Sequence, residues 1–131
     1  DVSYGMDDRR EGVGVLGPQP YADVPAYMQG LDVGVLPFRA SDPYVQGINP
    51  NKVYQYLAAG LPVITTPLLD LAPSPPDLTF AATPAEIEQA LTLALAVAPE
   101  SSRRRSLARP HDWDALAARM VAEIESRLAA A

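Results

Sequence analysis

The chain has 131 residues, a length that bounds it to one domain with a core at the modest end of the range. Ten Lys and Arg against 16 Asp and Glu leave a net charge of −6, which points away from nucleic acid or an anionic membrane surface as partner. There is no cysteine, no apolar run of membrane-spanning length and no opening signal segment, so disulfides and thiolate metal sites are excluded and a soluble, cytoplasmic protein is expected.

In chain order, Val2–Tyr4 and Val13–Leu16 read as strands. A helix follows over Asp23–Gln29, with Val24, Tyr27, Met28 and Leu31 on one face, and then a strand over Asp32–Leu36. The segment from Asn49 to Thr66 carries the most local information. Asn49 suits a helix N-cap and Pro50 the first helical position, where its missing N–H costs nothing. Val53, Tyr56 and Leu57 keep helical spacing, Gly60 supplies a left-handed stop, and the β-branched run after Pro62 predicts a strand over Pro62–Thr65. A proline-rich loop, Pro67–Pro76, leads to a strand at Leu78–Ala81. Thr83-Pro84-Ala85-Glu86 is a capping box opening a helix with Ile87, Ala90, Leu91, Ala94 and Leu95 on its apolar face, ended by Pro99. Arg103–Arg105 reads as a solvated basic run between two helices. The last helix, 112–131, starts at Asp112 and aligns Trp113, Leu116, Met120, Val121, Ile124 and Leu128, with Trp113 read as a core residue. Strands alternating with helices predict a parallel α/β sheet.

Gly12-Val13-Gly14-Val15-Leu16-Gly17 is literally G-x-G-x-x-G, but it lies on a predicted strand and Pro18-Gln19-Pro20 follows it. The dinucleotide fingerprint needs a helix starting inside the glycines, so this reading is rejected. At the start of the central helix, the backbone amides of Ile48, Asn49 and Asn51 and the charge of Lys52 form a candidate anion site, beside the plainer reading of capping with a solvated lysine. His111 is the only histidine and reads as structural or surface-facing. No His/Cys/Asp/Glu constellation has metal-ligand spacing, and no nucleophile motif occurs.

The pattern Asn49-Pro50-x-Lys52-x-x-Gln55-Tyr56-Leu57-Ala58-Ala59-Gly60-x-Pro62-Val63 resembles the donor-binding helix of GT-B retaining glycosyltransferases of the group 1 type. Val15–Pro18, Tyr21–Leu31 and Asp32–Phe38 upstream, and His111–Asp114 with the long helix downstream, resemble that family in the same order. The resemblance implies a Rossmann-like parallel sheet with helices on both faces, forming an incomplete nucleotide-sugar-binding domain over 1–131. Another strand and helix would precede residue 1, so the chain is expected to be truncated on its N-terminal side and to lack the acceptor-binding domain. It also implies transfer of a sugar from a nucleotide-diphosphate donor to an acceptor glycan or lipid-linked carrier, with no metal or other cofactor. Ile48, Asn49, Asn51 and Lys52 would hold the diphosphate, Gln55 the ribose and Gly17-Pro18-Gln19 the base. The loop 39–47, with Arg39, Asp42, Tyr44, Gln46 and Gly47, would lie near the sugar.

Two glutamates seven residues apart are usual in that family, and Gly47 and Gln55 stand in their places here. Gln55 can still accept a hydrogen bond, but as a neutral acceptor its bond is weaker by a factor of about two. A divergent active branch and a weakened or non-catalytic interaction module both fit this departure. An epimerase of the same architecture is a third reading. The isolated chain is expected to be inactive and to self-associate through exposed apolar surface.

Overall fold

The computed structural model describes residues 12–39, 41–68, 71, 77–97 and 100–130. Three short strands, β1 (Gly34–Leu36), β2 (Val63–Thr65) and β3 (Leu78–Phe80), pair in parallel in chain order. The register sets Gly34 beside Val63 and Val63 beside Leu78. Helices α1 (Val24–Gln29), α2 (Pro43–Gln46), α3 (Asn51–Ala59), α4 (Pro84–Ala96), α5 (Ser101–Ala108) and α6 (Trp113–Ala129) surround the sheet.

Side chains alternate across a strand, so β2 divides the core into two layers. Val63 joins Val53 and Leu57 of α3, Leu78 of β3 and Ala108 of α5 in one apolar cluster. Ile64 points the other way and meets Ala81 and Ala90, with Val33, Ile87 and Leu91 packed around them. Helices thus cover both faces, as the Rossmann-like reading expects. Val53, Leu57 and Val63 are wholly buried, each worth about 1.5–3 kcal/mol of transfer free energy. Packing is close enough to dictate glycine at Gly34, where a Cβ would lie 2.4 Å from the Tyr56 ring.

Local signals set most element ends. Gly60 closes α3 in the left-handed region at φ 89°. The Thr83 hydroxyl accepts from the Glu86 amide at 3.3 Å while Glu86 returns a bond to the Thr83 amide, completing the capping box. Asp112 caps α6 by accepting from the Ala115 amide at 2.7 Å.

Several expectations are corrected. Val13–Leu16 is not a strand: no ladder partner lies beside it among the described residues, and Val13, Val15 and Leu16 are exposed. β-propensity has little force without a neighbouring strand, and Gly12 and Gly14 weaken it further. The N-cap of α3 falls on Pro50 and not on Asn49, because Pro50 is extended (ψ 119°) and the helix starts at Asn51 with no side-chain cap. Arg103–Arg105 lies within α5, not between helices, and Arg104 is buried. Trp113 is no core residue, being 78% exposed, and the whole apolar stripe of α6 has no buried member. The strand expected at Val2–Tyr4 lies outside the described residues, as do Pro99 and most of the loop 67–76. Within that loop Leu68 and Leu71 are buried in the α3 cluster.

Arg104 is buried because it closes the amino edge of the sheet. Its guanidinium donates to the Gly60 carbonyl at 3.2 Å and lies 3.6 Å from Asp77, whose side chain is also buried. Arg103 bonds the same Asp77 oxygen at 2.6 Å and Glu100 at 2.8 Å. The bond to Asp77 raises the Arg103 pKa further, so that guanidinium stays charged through the physiological range. The cluster ties α5, the start of β3 and the end of α3 together.

Candidate functional site

In a parallel sheet, ligands bind outside the carboxyl ends of the strands. The loop leaving β1 there is built from successive turns. The Asp42 amide donates to the Arg39 carbonyl at 3.0 Å, Val45 to Asp42 at 3.0 Å, Gly47 to Tyr44 at 3.3 Å and Ile48 to Val45 at 3.4 Å. Asp42 also caps α2 through its carboxylate, which accepts from the Tyr44 amide at 2.9 Å. Val45 is buried in the α3 cluster and anchors the short helix. Arg39, Asp42, Tyr44 and Gly47 are exposed around it.

This loop delivers the chain to the N-terminus of α3. Asn49, Asn51 and Lys52 are exposed there, and Ile48 and Pro50 are half-buried. The amides of Asn49, Asn51 and Lys52 have no hydrogen-bond partner among the described residues, whereas that of Ile48 is committed to Val45. The first amides of the helix thus remain available, with the partial positive charge of the helix end behind them and the Lys52 ammonium beside them.

Gln55 lies one turn further on, on the flank of α3 and not at its tip. Its Oε1 is buried and lacks a partner among the described residues, an arrangement that costs about 1–3 kcal/mol until something donates to it. Gln55 and Asn51 line a cleft of about 390 Å³ with Tyr21, Tyr54, His111 and Trp113. His111 stacks on Tyr54 with ring centroids 4.0 Å apart.

Gly17 and Gln19 line a separate cleft of about 330 Å³ with Tyr27, Met28 and Tyr56. Gly17 adopts φ 64°, which only glycine takes readily. The Gln19 amide donates to the Leu16 carbonyl at 2.6 Å and accepts from the Tyr27 hydroxyl at 3.0 Å, so this loop is fixed against α1. Pro18 forms the exposed bend between them. A third cleft, shared by Gln55 and Tyr21, has Val24 and Met28 of α1 on its wall, and those two residues also line the Gly17 cleft. The structure therefore groups Asn51 with Gln55 and Gly17 with Gln19, on neighbouring surfaces joined by α1. Arg39, Tyr44, Gly47, Ile48, Asn49 and Lys52 line neither the Gln55 cleft nor the Gly17 cleft.

Sequence reading passed over two features. Tyr21 and Trp113, 80% and 78% exposed, line the Gln55 cleft, and so does the stacked pair of Tyr54 and His111. No local pattern signals a contact between residues so distant in the chain. Thr66, at the carboxyl end of β2, has a buried hydroxyl without a partner among the described residues. Among the described residues no group of three or more His, Cys, Asp or Glu could hold a metal ion, and no helix is long and apolar enough to cross a membrane.

No solved structure matches the chain. A Bacillus subtilis (strain 168) protein, provisionally named teichuronic acid biosynthesis glycosyltransferase TuaH, is 41% identical over 68 residues. That alignment covers 52% of this chain and 17% of the relative, so the chain matches only a small part of that protein's length. The sequence model of the family Glycosyl transferases group 1 matches residues 4–125, which takes in the strands, the turn-built loop and the open end of α3 together. On that coverage, the chain belongs to the group 1 glycosyltransferases.

Proposed function

We propose that this chain is part of the donor-binding half of a GT-B glycosyltransferase, which transfers a sugar from a nucleotide-diphosphate donor with retention and without a metal ion. The observation that carries the reading is the open N-terminus of α3, where the amides of Asn49, Asn51 and Lys52 have no partner among the described residues and Lys52 is exposed. Breaking the bond from sugar to diphosphate loads negative charge onto the departing phosphate oxygens. Amides at a helix end would stabilise that charge as it develops, and the Lys52 ammonium would add to them. Gln55 Oε1 would accept from a ribose hydroxyl, which satisfies its unmet acceptor. Gly17, Pro18 and Gln19 would face the base.

The acceptor would be a glycan or lipid-linked carrier. The other half of the cleft would come from an acceptor-binding domain against which the exposed stripe of α6 packs. Without that domain the 131-residue chain would be inactive and its stripe prone to self-association. We place the protein in the cytoplasm, where nucleotide sugars are at hand.

Calorimetric titration of the intact protein with UDP, GDP and their sugar conjugates tests the reading. Micromolar binding of one nucleotide, weakened by Lys52→Ala and by Gln55→Ala, is expected. A second reading, a non-catalytic interaction module, is favoured by Gly47 and Gln55 standing where glutamates are usual in the family. Failure of a folded protein to bind any nucleotide would decide for that module.

A further inference from the structure

Ala108, at the end of α5, is buried in the α3 cluster, and from there the chain leaves the core. A 3-10 turn, Arg109–His111, and one extended residue, Asp112 (ψ 162°), lead into α6. No residue of α6 is buried, and it packs mainly on that turn. Its bonds fall within the same joint: Asp112 caps it, and the Arg119 guanidinium donates to the Pro110 carbonyl at 3.1 Å. Among the described residues no hydrogen bond or ion pair runs from α6 to the sheet or to α3. A helix so joined can turn as one body about Asp112, since hinges are a few element-terminal residues that absorb the change in φ and ψ.

The joint returns to α3 at an aromatic pair. The His111 imidazole lies on the Tyr54 ring, with centroids 4.0 Å apart and planes 18° from parallel. Both residues are half-buried. Tyr54 and Gln55 are neighbours on α3, Trp113 and Leu116 belong to the first turn of α6, and all four line the same cleft of about 390 Å³. The stack therefore joins the two helices that wall this cleft.

We infer that α6 is a hinged wall of the Gln55 cleft and that the Tyr54–His111 stack is the clasp that holds it shut. With the rings together, Trp113 and Leu116 stand against the flank of α3. With the rings apart, rotation about Asp112 carries them away and opens the cleft. An aromatic pair biases such an equilibrium roughly 2- to 12-fold, enough to favour the closed arrangement without locking it. His111 is thus a positioning residue, acting through Tyr54 on the shape of the cleft. The clasp shapes the cleft whatever ligand enters it, so it stands or falls apart from the donor-site reading.

The chain has no cysteine, so spin labels can be placed one site at a time. Labels on Thr92→Cys and Glu125→Cys, exposed positions of α4 and α6, report the placement of α6 against the body by pulsed electron resonance. Labelled chain is diluted in unlabelled chain, so that only distances within one molecule are read. The expected result is one dominant distance whose share, relative to the rest, falls roughly 2- to 12-fold in Tyr54→Ala and in His111→Ala. Tyr54→Phe, which keeps a ring, should retain the parent distribution, and all variants should keep the parent's circular dichroism. An unchanged distribution in the folded alanine variants overturns the clasp, and so does a parent distribution as broad as theirs. Where Tyr54→Ala fails to fold, His111→Ala decides, because His111 lies outside both core clusters.

Discussion

The two ends of α3 differ more than any other pair of regions in this molecule. At the C-terminal end, Gly60 is buried, its carbonyl accepts from Arg104 at 3.2 Å, and Arg104 in turn lies against a buried Asp77. The charges there are paired, although Asp77 Oδ2 and Arg104 Nε are buried without a hydrogen-bond partner among the described residues. At the N-terminal end, Asn51 and Lys52 are exposed, and among the described residues no side chain caps the helix and their amides have no partner. Both ends belong to nine residues of one helix. Because the sheet is parallel, they also fall on opposite edges of it. The fold thus keeps the ion pairs that hold it together buried at the amino edge and leaves helix amides exposed, without partners among the described residues, at the carboxyl edge. An unsatisfied helix end is costly to stability, and here it is tolerated where water and anions can reach it.

The comparison can be broken most forcefully at Arg104. Arg104→Ala leaves Asp77 buried with only Arg103 against it, and should cost about 3–5 kcal/mol in urea unfolding. Nucleotide affinity of the protein that remains folded should not change. A stability loss under about 1 kcal/mol would show that the cluster is dispensable, as exposed ion pairs are.

The mirror experiment is Lys52→Ala at the open end. Stability should stay within about 0.5 kcal/mol of the parent, because Lys52 is exposed. Diphosphate binding should weaken by about 1.5–3 kcal/mol, the range of a charge-assisted hydrogen bond, and the loss should shrink as salt is raised. Loss of stability without loss of binding would invert the assignment of the two ends.

Two glycines sharpen the contrast. Gly60→Ala forces a Cβ to 2.6 Å from the Ser101 Cβ at a backbone with φ +89°, and should cost about 1–3 kcal/mol in thermal or urea unfolding. Gly47→Ala meets open space at an ordinary backbone angle. It should be neutral or stabilise by about 0.4–1 kcal/mol through the unfolded chain, read in the same assay. Equal destabilisation by both would mean that the open end is packed as tightly as the closed one.

Much of this was legible in the residues. The Pro50-to-Gly60 segment announces a helix with a left-handed stop, and Val63-Ile64-Thr65 a buried strand, because proline, glycine and β-branched side chains act through their own backbones. Thr83 and Glu86, and Asp112, mark helix starts for the same reason: their partners are three residues away. The limit shows at Val13–Leu16 and at Arg104. A strand needs a neighbour to pair with, and nothing in Val13–Leu16 says whether one is there. A triple arginine is solvated by default, and the charge that buries Arg104 is on Asp77, far off in the chain.

For the candidate site the division is similar. The anion-accepting character of residues 49–52 and the family pattern through Val63 follow from local sequence. The commitment of the Ile48 amide to Val45, the unpartnered Oε1 of Gln55 and the stack of His111 on Tyr54 do not. Sequence alone determined the alternation of strands and helices, the central helix and its glycine stop, and membership in a family. Tertiary structure decided which end of that helix is sealed and which open, which arginine is buried, and that the apolar stripe of α6 finds no partner among the described residues. The physical reason is range. Backbone preferences act over a few residues, whereas burial and charge pairing depend on what the fold brings alongside.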